Sequence, residues 1–209
     1  MDHQYVIMIS HQLGCGGAAI GRRLSDILSI PFIDRQILKQ VADHLHVPEE
    51  ELESRDERKT SFWEAFALVE ALNDPMSAAA AKYFPSDREL YALESEYIEK
   101  LAKDHSAIIL GRGGRYILRD HPRRFSVFLH ADMKDRILRI TEQGNTSETE
   151  AEKILEKDDR ERFAYMKSFT RLDWLDARTY DLCINTSGIG MDNAAVLIKH
   201  GVEYKLGEH

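Results

Sequence analysis

Cysteine is nearly absent: Cys15 and Cys183 are the only two in 209 residues. So few and so far apart, they exclude a disulfide framework and fit a reducing compartment, which makes the cytoplasm the expected location. Long apolar runs are missing as well. No stretch approaches the roughly 20 apolar residues of a membrane span, so no contact with a membrane is expected. The opening residues Met1 to Gln4 carry no basic stretch, so no secretory leader is expected. Positive charge is the third shortage. With 28 basic against 36 acidic residues the net charge is -8. Non-specific nucleic-acid binding, which rests on cationic neutralisation of phosphates, is therefore not expected. A small anion held in a locally basic cleft stays open. Internal repeats and low-complexity linkers are also lacking.

What is present fits one α/β domain large enough to need no staple. Five short apolar runs read as strands: Tyr5 to Ile9, Pro31 to Ile33, Ala107 to Leu110, Phe125 to Leu129 and Leu182 to Ile184. Unbroken apolar runs of this length fit strands covered on both faces, as in a parallel sheet. Helical patterns alternate with them, which points to a doubly wound α/β fold. Ala19 to Leu28 places Ile20, Leu24, Ile27 and Leu28 on one face. Asp87 to Lys103 does the same with Leu90, Leu93, Tyr97, Ile98 and Leu101. Ser147 with Glu150 forms a capping-box pattern opening a long charged helix, and Asp192 is a candidate cap for the last one. Between about 47 and 85 the pattern changes to a charge-dense stretch followed by two helical segments. This reads as a helical insertion, either two ordinary surface helices or a cover for the substrate. Its apolar segment from Phe62 to Leu72 is a candidate for pairing two copies.

The segment His11-Gln12-Leu13-Gly14-Cys15-Gly16-Gly17-Ala18-Ala19 follows the first strand and opens the first helix. Glycines let backbone N–H groups approach a ligand, and the helix N-terminus adds unpaired donors and a positive dipole end. Together they suit a phosphate. Two phosphate loops compete for it. Gly14-x-Gly16-x-x-Ala19 satisfies the dinucleotide fingerprint, with Asp34 placed where a ribose-binding acid would sit. The rival is a degenerate P-loop in which Gly17 stands at the lysine and Ala18 at the magnesium-binding hydroxyl.

The chain as a whole resembles the cytidylate kinase-like family, a branch of the P-loop nucleoside monophosphate kinases. The resemblance rests on Ile9 to Gly17, Ile20-Gly21, Ile30 to Arg35, Ile109 to Gly113, Asp135-Arg136-Ile137, Lys157 to Arg162 and Tyr180 to Thr186. The family's usual loop looks like S-R-Q-x-G-S-G-G-R-x-I-G, which already lacks the P-loop lysine. Here His11 replaces the first arginine, Cys15 the serine and Ala18 the second arginine. Each lost arginine removes a fixed positive charge.

The resemblance implies a P-loop NTPase-like three-layer sandwich, with a mainly parallel sheet of about five strands and helices on both faces. It implies ATP as phosphoryl donor, magnesium with no loop hydroxyl to bind it, so that Asp34 or water must serve, and a CMP-like acceptor. Backbone amides of Gly14, Cys15, Gly16, Gly17, Ala18 and Ala19 would cradle the donor phosphates. Arg112, just after the third strand, would grip the acceptor phosphate, bidentately as a guanidinium can. A structural salt bridge is the competing role for Arg112. The segment from about 145 to 170 looks like a lid, in which Lys157, Arg160 and Arg162 would meet the transferred phosphoryl group. On a continuous helix Arg162 points nearly opposite to Lys157 and Arg160, so only part of that set can face a ligand. Asp34 and Asp181 are implied substrate contacts. A helix cap at Asp34 and a turn leading into a strand at Asp181 explain them equally well. Cys15 beside His11 is a small residue in the serine position rather than a catalytic thiol. The rival function is a nucleotide sensor that keeps the cradle without turnover, and a third is an NAD-type oxidoreductase.

Overall fold

The computed structural model describes residues 4–34, 87–144, 146–171 and 173–207, with the backbone alone at 87–90. The proposed insertion at 47–85, with its Phe62 to Leu72 segment, lies outside the described residues. The strands are β1 (Val6–His11), β2 (Phe32–Ile33), β3 (Ala107–Leu110), β4 (Arg124–His130) and β5 (Leu182–Asn185). They form one all-parallel sheet in the order β2-β3-β1-β4-β5. The described helices are α1 (Gly17–Leu28), α2 (Asp87–Asp104), α3 (Gly114–Ile117), α4 (Met133–Gly144), α5 (Glu148–Thr170), α6 (Thr186–Ile189) and α7 (Met191–Leu206).

Strand alternation divides the apolar residues between two cores. Ile7 and Ile9 of β1, Ile108 and Leu110 of β3, and Val127 and Leu129 of β4 meet Ile20 and Leu24 of α1 and Ala194, Ile198 and Val202 of α7. Val6 and Met8 with Ala107 and Ile109 face the other way, onto Ile98 and Ala102 of α2. Both faces are covered, so the strands read as unbroken apolar runs rather than alternating ones. Burying each of these large side chains contributes roughly 1.5–3 kcal/mol. Among the described residues, no helix is long and apolar enough to cross a membrane.

Helix ends mostly follow the sequence signals. Ser147 caps α5, its side chain accepting from the Glu150 N–H. The last helix departs from expectation. Gly190 is the cap of α7, and Asp192 lies inside the first turn. There a carboxylate still complements the helix dipole without capping.

Edge strand β5 is anchored at its amino end by a polar clamp. The Asp181 carboxylate accepts from the Ser126 N–H at 2.8 Å and hydroxyl at 2.9 Å, and Lys205 Nζ lies 2.7 Å from its other oxygen. Burial pushes the Asp181 carboxyl up, but the Lys205 and Ser126 bonds outweigh it and hold it below its ordinary value. Folding thus lowers this pKa, so the clamp stabilises above the unfolded-state value and is lost as pH falls through the folded one. The difference in urea midpoint between the wild type and Asp181→Asn should be greatest at neutral pH and close well below about pH 4. A difference that stays constant across that range would contradict the clamp.

Candidate active site

Because all strands run parallel, the ends of β1, β3 and β4 share one edge of the sheet, and the glycine segment leaves β1 there. Gly14 and Gly16 both adopt positive φ, 79° and 88°, which side-chain-bearing residues rarely do. A Cβ on Gly16 would also collide with Met191 Sδ, and one on Gly17 would meet the His11 ring at 2.8 Å. The histidine that stands in place of the family's arginine therefore packs against the loop.

Three successive loop carbonyls are held from outside. Arg136 Nε donates to Leu13 O at 2.7 Å, an Arg139 guanidinium nitrogen to Gly14 O at 2.9 Å, and Thr186 Oγ1 to Cys15 O at 2.8 Å. In a planar trans peptide the N–H points opposite to the C=O. Fixing these oxygens therefore turns the amides of Gly14, Cys15 and Gly16 the other way. The Cys15 N–H closes a turn onto Gln12 O at 3.2 Å, and the first helical bond runs from the Ile20 N–H to Gly16 O. No side chain caps α1 at Gly16. The Gly17 N–H turns to the Cys15 sulfur, and the other first-turn amides have no capping side chain at a positive helix end, which suits an anion.

Electrostatics at the loop point the same way. Cys15 is fully buried, and burial pushes its thiol up to about 11. The Gly17 N–H and the guanidiniums of Arg136, Arg139 and Arg162 pull it down without prevailing. At neutral pH Cys15 is a buried thiol, not a nucleophile, as its reading as a small residue required. The same three arginines surround a loop that has no lysine of its own.

Arg136 is the joint of the site. It is 2% exposed, and beyond Leu13 O its guanidinium grips Asp159 with two bonds of 2.8 Å each. One side chain of α4 thus ties the loop to α5. The sequence reading placed Arg136 within a motif without giving it a role, and Arg139 was missed. Their spacing of three residues on one helix face was the available signal.

The expected arginines separate. Arg162 is mostly buried, its Nε 2.6 Å from Asp158. It lines a small cavity with Ser10, His11, Gly111, Gly113, Tyr165 and Trp174. Arg160 does not join it. Its side chain is 70% exposed and lies 3.7 Å from Glu156, and Lys157 is also solvent-facing. Helix α5 is continuous here, and two residues advance about 200° around it, so these two cannot share the inward face with Arg162. Arg112 stands at the carboxyl end of β3 as expected, but its guanidinium meets buried Glu94 of α2 at 3.2 Å. Its φ of 59° falls between Gly111 at 71° and Gly113 at 64°. A left-handed arginine there is strained backbone of the kind found at functional sites. Asp34 follows β2, the outer strand, with β3 between it and β1. Asp181 lies at the amino end of β5, away from the loop edge, where its carboxylate serves the clamp. Among the described residues there is no cluster of three metal-ligating side chains, and Ala18 supplies no hydroxyl.

A loop of main-chain donors between β1 and α1, at the carboxyl edge of a parallel sheet ordered 2-3-1-4-5, defines a P-loop-type kinase fold. The chain matches the cytidylate kinase-like family over residues 6–188, and it belongs to that family. A crystal structure of an uncharacterized protein from Eubacterium ventriosum superposes with a TM-score of 0.72 at 22% identity, covering 97% of this chain and 100% of that one. A shikimate kinase from Bacteroides thetaiotaomicron gives 0.52 at 14% identity, over 96% and 95% of the two chains. A gluconokinase from Sinorhizobium meliloti gives 0.53 at 12%, over 99% and 96%. At these identities the likeness concerns the fold. No curated protein matches the sequence.

Removing one side chain should therefore loosen both loop and helix. Arg136→Met is expected to lower the unfolding free energy by about 3 kcal/mol, the lower end for breaking a buried pair, because Asp159 keeps some solvent contact. Urea denaturation measures this. Arg136→Lys should recover less than half, since an ammonium cannot bridge a carboxylate and a carbonyl as the fork does. Full recovery by lysine would contradict the joint.

Proposed function

We propose that the protein transfers the terminal phosphoryl group of ATP to a nucleoside monophosphate, CMP-like, or a related small acceptor. The observation that carries this is the loop whose carbonyls are held by Arg136, Arg139 and Thr186, leaving the amides of Gly16, Ala18 and Ala19 for donor phosphates. In the reaction the bond from the γ-phosphorus to the bridging oxygen breaks, ADP leaves, and an acceptor phosphate oxygen forms the new bond. The work is positioning and charge stabilisation. Arg162 faces the reacting region, and Arg136 and Arg139 supply the field that a loop lysine otherwise provides. Arg112, oriented by Glu94, grips the acceptor phosphate. Magnesium would come with the nucleotide, bound to phosphate oxygens and water. The substrates are small nucleotides in the cytoplasm, without nucleic acid or membrane, and pairing of two copies through Phe62 to Leu72 belongs to the same proposal.

Topology argues against the dinucleotide reading. In that fold the second strand lies beside the first, whereas here β3 does. The sensor reading has one observation in its favour: the arginines of α5 already have carboxylate partners, Glu156 and Asp158.

Turnover separates the two readings. Incubation with ATP and each nucleoside monophosphate in turn should give acceptor-dependent ADP and a phosphorylated acceptor. Stabilisation by ATP with no product from any acceptor would favour the sensor. Arg112→Lys should raise the acceptor KM about tenfold and leave the ATP KM within about threefold. Equal losses for both would remove Arg112 from the acceptor site.

A further inference from the structure

The small cavity at the sheet edge is lined by a residue that carries an unexplained donor. Trp174 is 5% exposed, and its Nε1 has no hydrogen-bond partner. The ring is held firmly. It stands edge-on to Phe128, centroids 5.5 Å apart at 90°, and its own carbonyl accepts from Tyr180 Oη at 2.7 Å. Tyr180 in turn packs on Phe128 at 5.2 Å. A buried N–H without a partner costs the full desolvation of that group, so a native structure that keeps one needs a reason.

The cavity supplies one. It lies between the ends of β1 and β3, lined by Ser10, Gly111, Gly113, Arg162 and Trp174. Its volume is about 20 Å3, where one water needs about 10–15 Å3. That is room for the oxygens at the tip of a group, and not for a sugar or a base. An indole N–H only donates, and a guanidinium only donates and is always charged. Both suit an acceptor that carries negative charge; Arg162 already bonds Asp158 through its Nε, so the anion joins an occupied guanidinium.

We propose that Trp174 Nε1 and Arg162 form an oxyanion subsite that takes a phosphate oxygen of the acceptor molecule. The glycines at the end of β3 let the group approach closely, and His11, which also lines the cavity, packs against the donor loop. Trp174 is then a specificity-determining residue. It rewards a terminal phosphate and gives nothing to a hydroxyl-terminated analogue. The name of the group rests on the phosphotransfer reading, but its detection does not.

In 15N-labelled Trp63→Phe protein, Trp174 gives the one indole N–H resonance, because the chain has two tryptophans. Titration with inorganic phosphate, and separately with CMP, should move that resonance downfield to saturation, while cytidine leaves it in place. In a second variant, Trp174→Phe, CMP affinity should fall about ten- to a hundredfold, with ATP affinity within about threefold of wild type. A resonance unmoved by phosphate and CMP overturns the proposal, and so does one moved equally by cytidine. Trp174→Phe protein that is less stable yet binds CMP as before also overturns it, since the N–H then serves only a trapped water. Should Trp174→Phe not fold, the titration of Trp63→Phe decides alone. Absence of any phosphorylated product would defeat the kinase reading and leave the indole result standing.

Discussion

The arginine at position 136 carries the structural logic of the molecule. A guanidinium with almost no solvent contact is costly unless every donor finds an acceptor. Here the acceptors come from two different places: a carbonyl of the glycine loop and a carboxylate of α5. The charge can therefore be buried only when loop and helix stand in their proper relation. One side chain converts the geometry of α4 into the geometry of the site. The neighbouring arginine and Thr186 extend the principle to the next two carbonyls.

Under the proposed function, this arrangement accounts for phosphate binding by a loop that lacks the residues its class normally supplies. A lysine in a P-loop brings charge and a donor on a flexible stem. In this chain the charge sits outside the loop, on arginines that are rigidly paired, and the donors are the main-chain amides themselves. Donors fixed before the ligand arrives need no reorganisation when it does. The net acidity of the chain is no obstacle, because the potential that matters is local. Three guanidiniums act on Cys15; Asp159 and Asp158 pair with two of them, and among the described residues most other carboxylates face solvent.

Much of the architecture was legible in the sequence. Runs such as Tyr5 to Ile9 and Ala107 to Leu110 are apolar without alternation, and only a sheet covered on both faces needs that. The loop announced itself through three glycines between a strand and an amphipathic helix, and Ser147 with Glu150 marked the start of α5. What stayed hidden depended on which face of a polar helix turns inward. Helix α5 is charged all round, so periodicity could say that Arg160 and Arg162 diverge but not which one meets the site. Arg136 looked like any charged residue on α4, because its burial comes from partners distant in sequence. Trp174 lies in an irregular segment with no period to read. Asp181 was ambiguous for another reason: the position before a strand suits a structural carboxylate and a ligand contact alike, and only the sheet's polarity separates them.

The central claim is that bare main-chain amides, aimed by arginines behind them, bind a polyphosphate. A crystal structure of the protein with a non-hydrolysable ATP analogue tests it most directly. The account predicts phosphate oxygens within about 3 Å of the amide nitrogens of Gly16, Ala18 and Ala19, with Arg136 still on Leu13 O and Asp159. A nucleotide seated elsewhere, with those amides turned to water or to side chains, would contradict it.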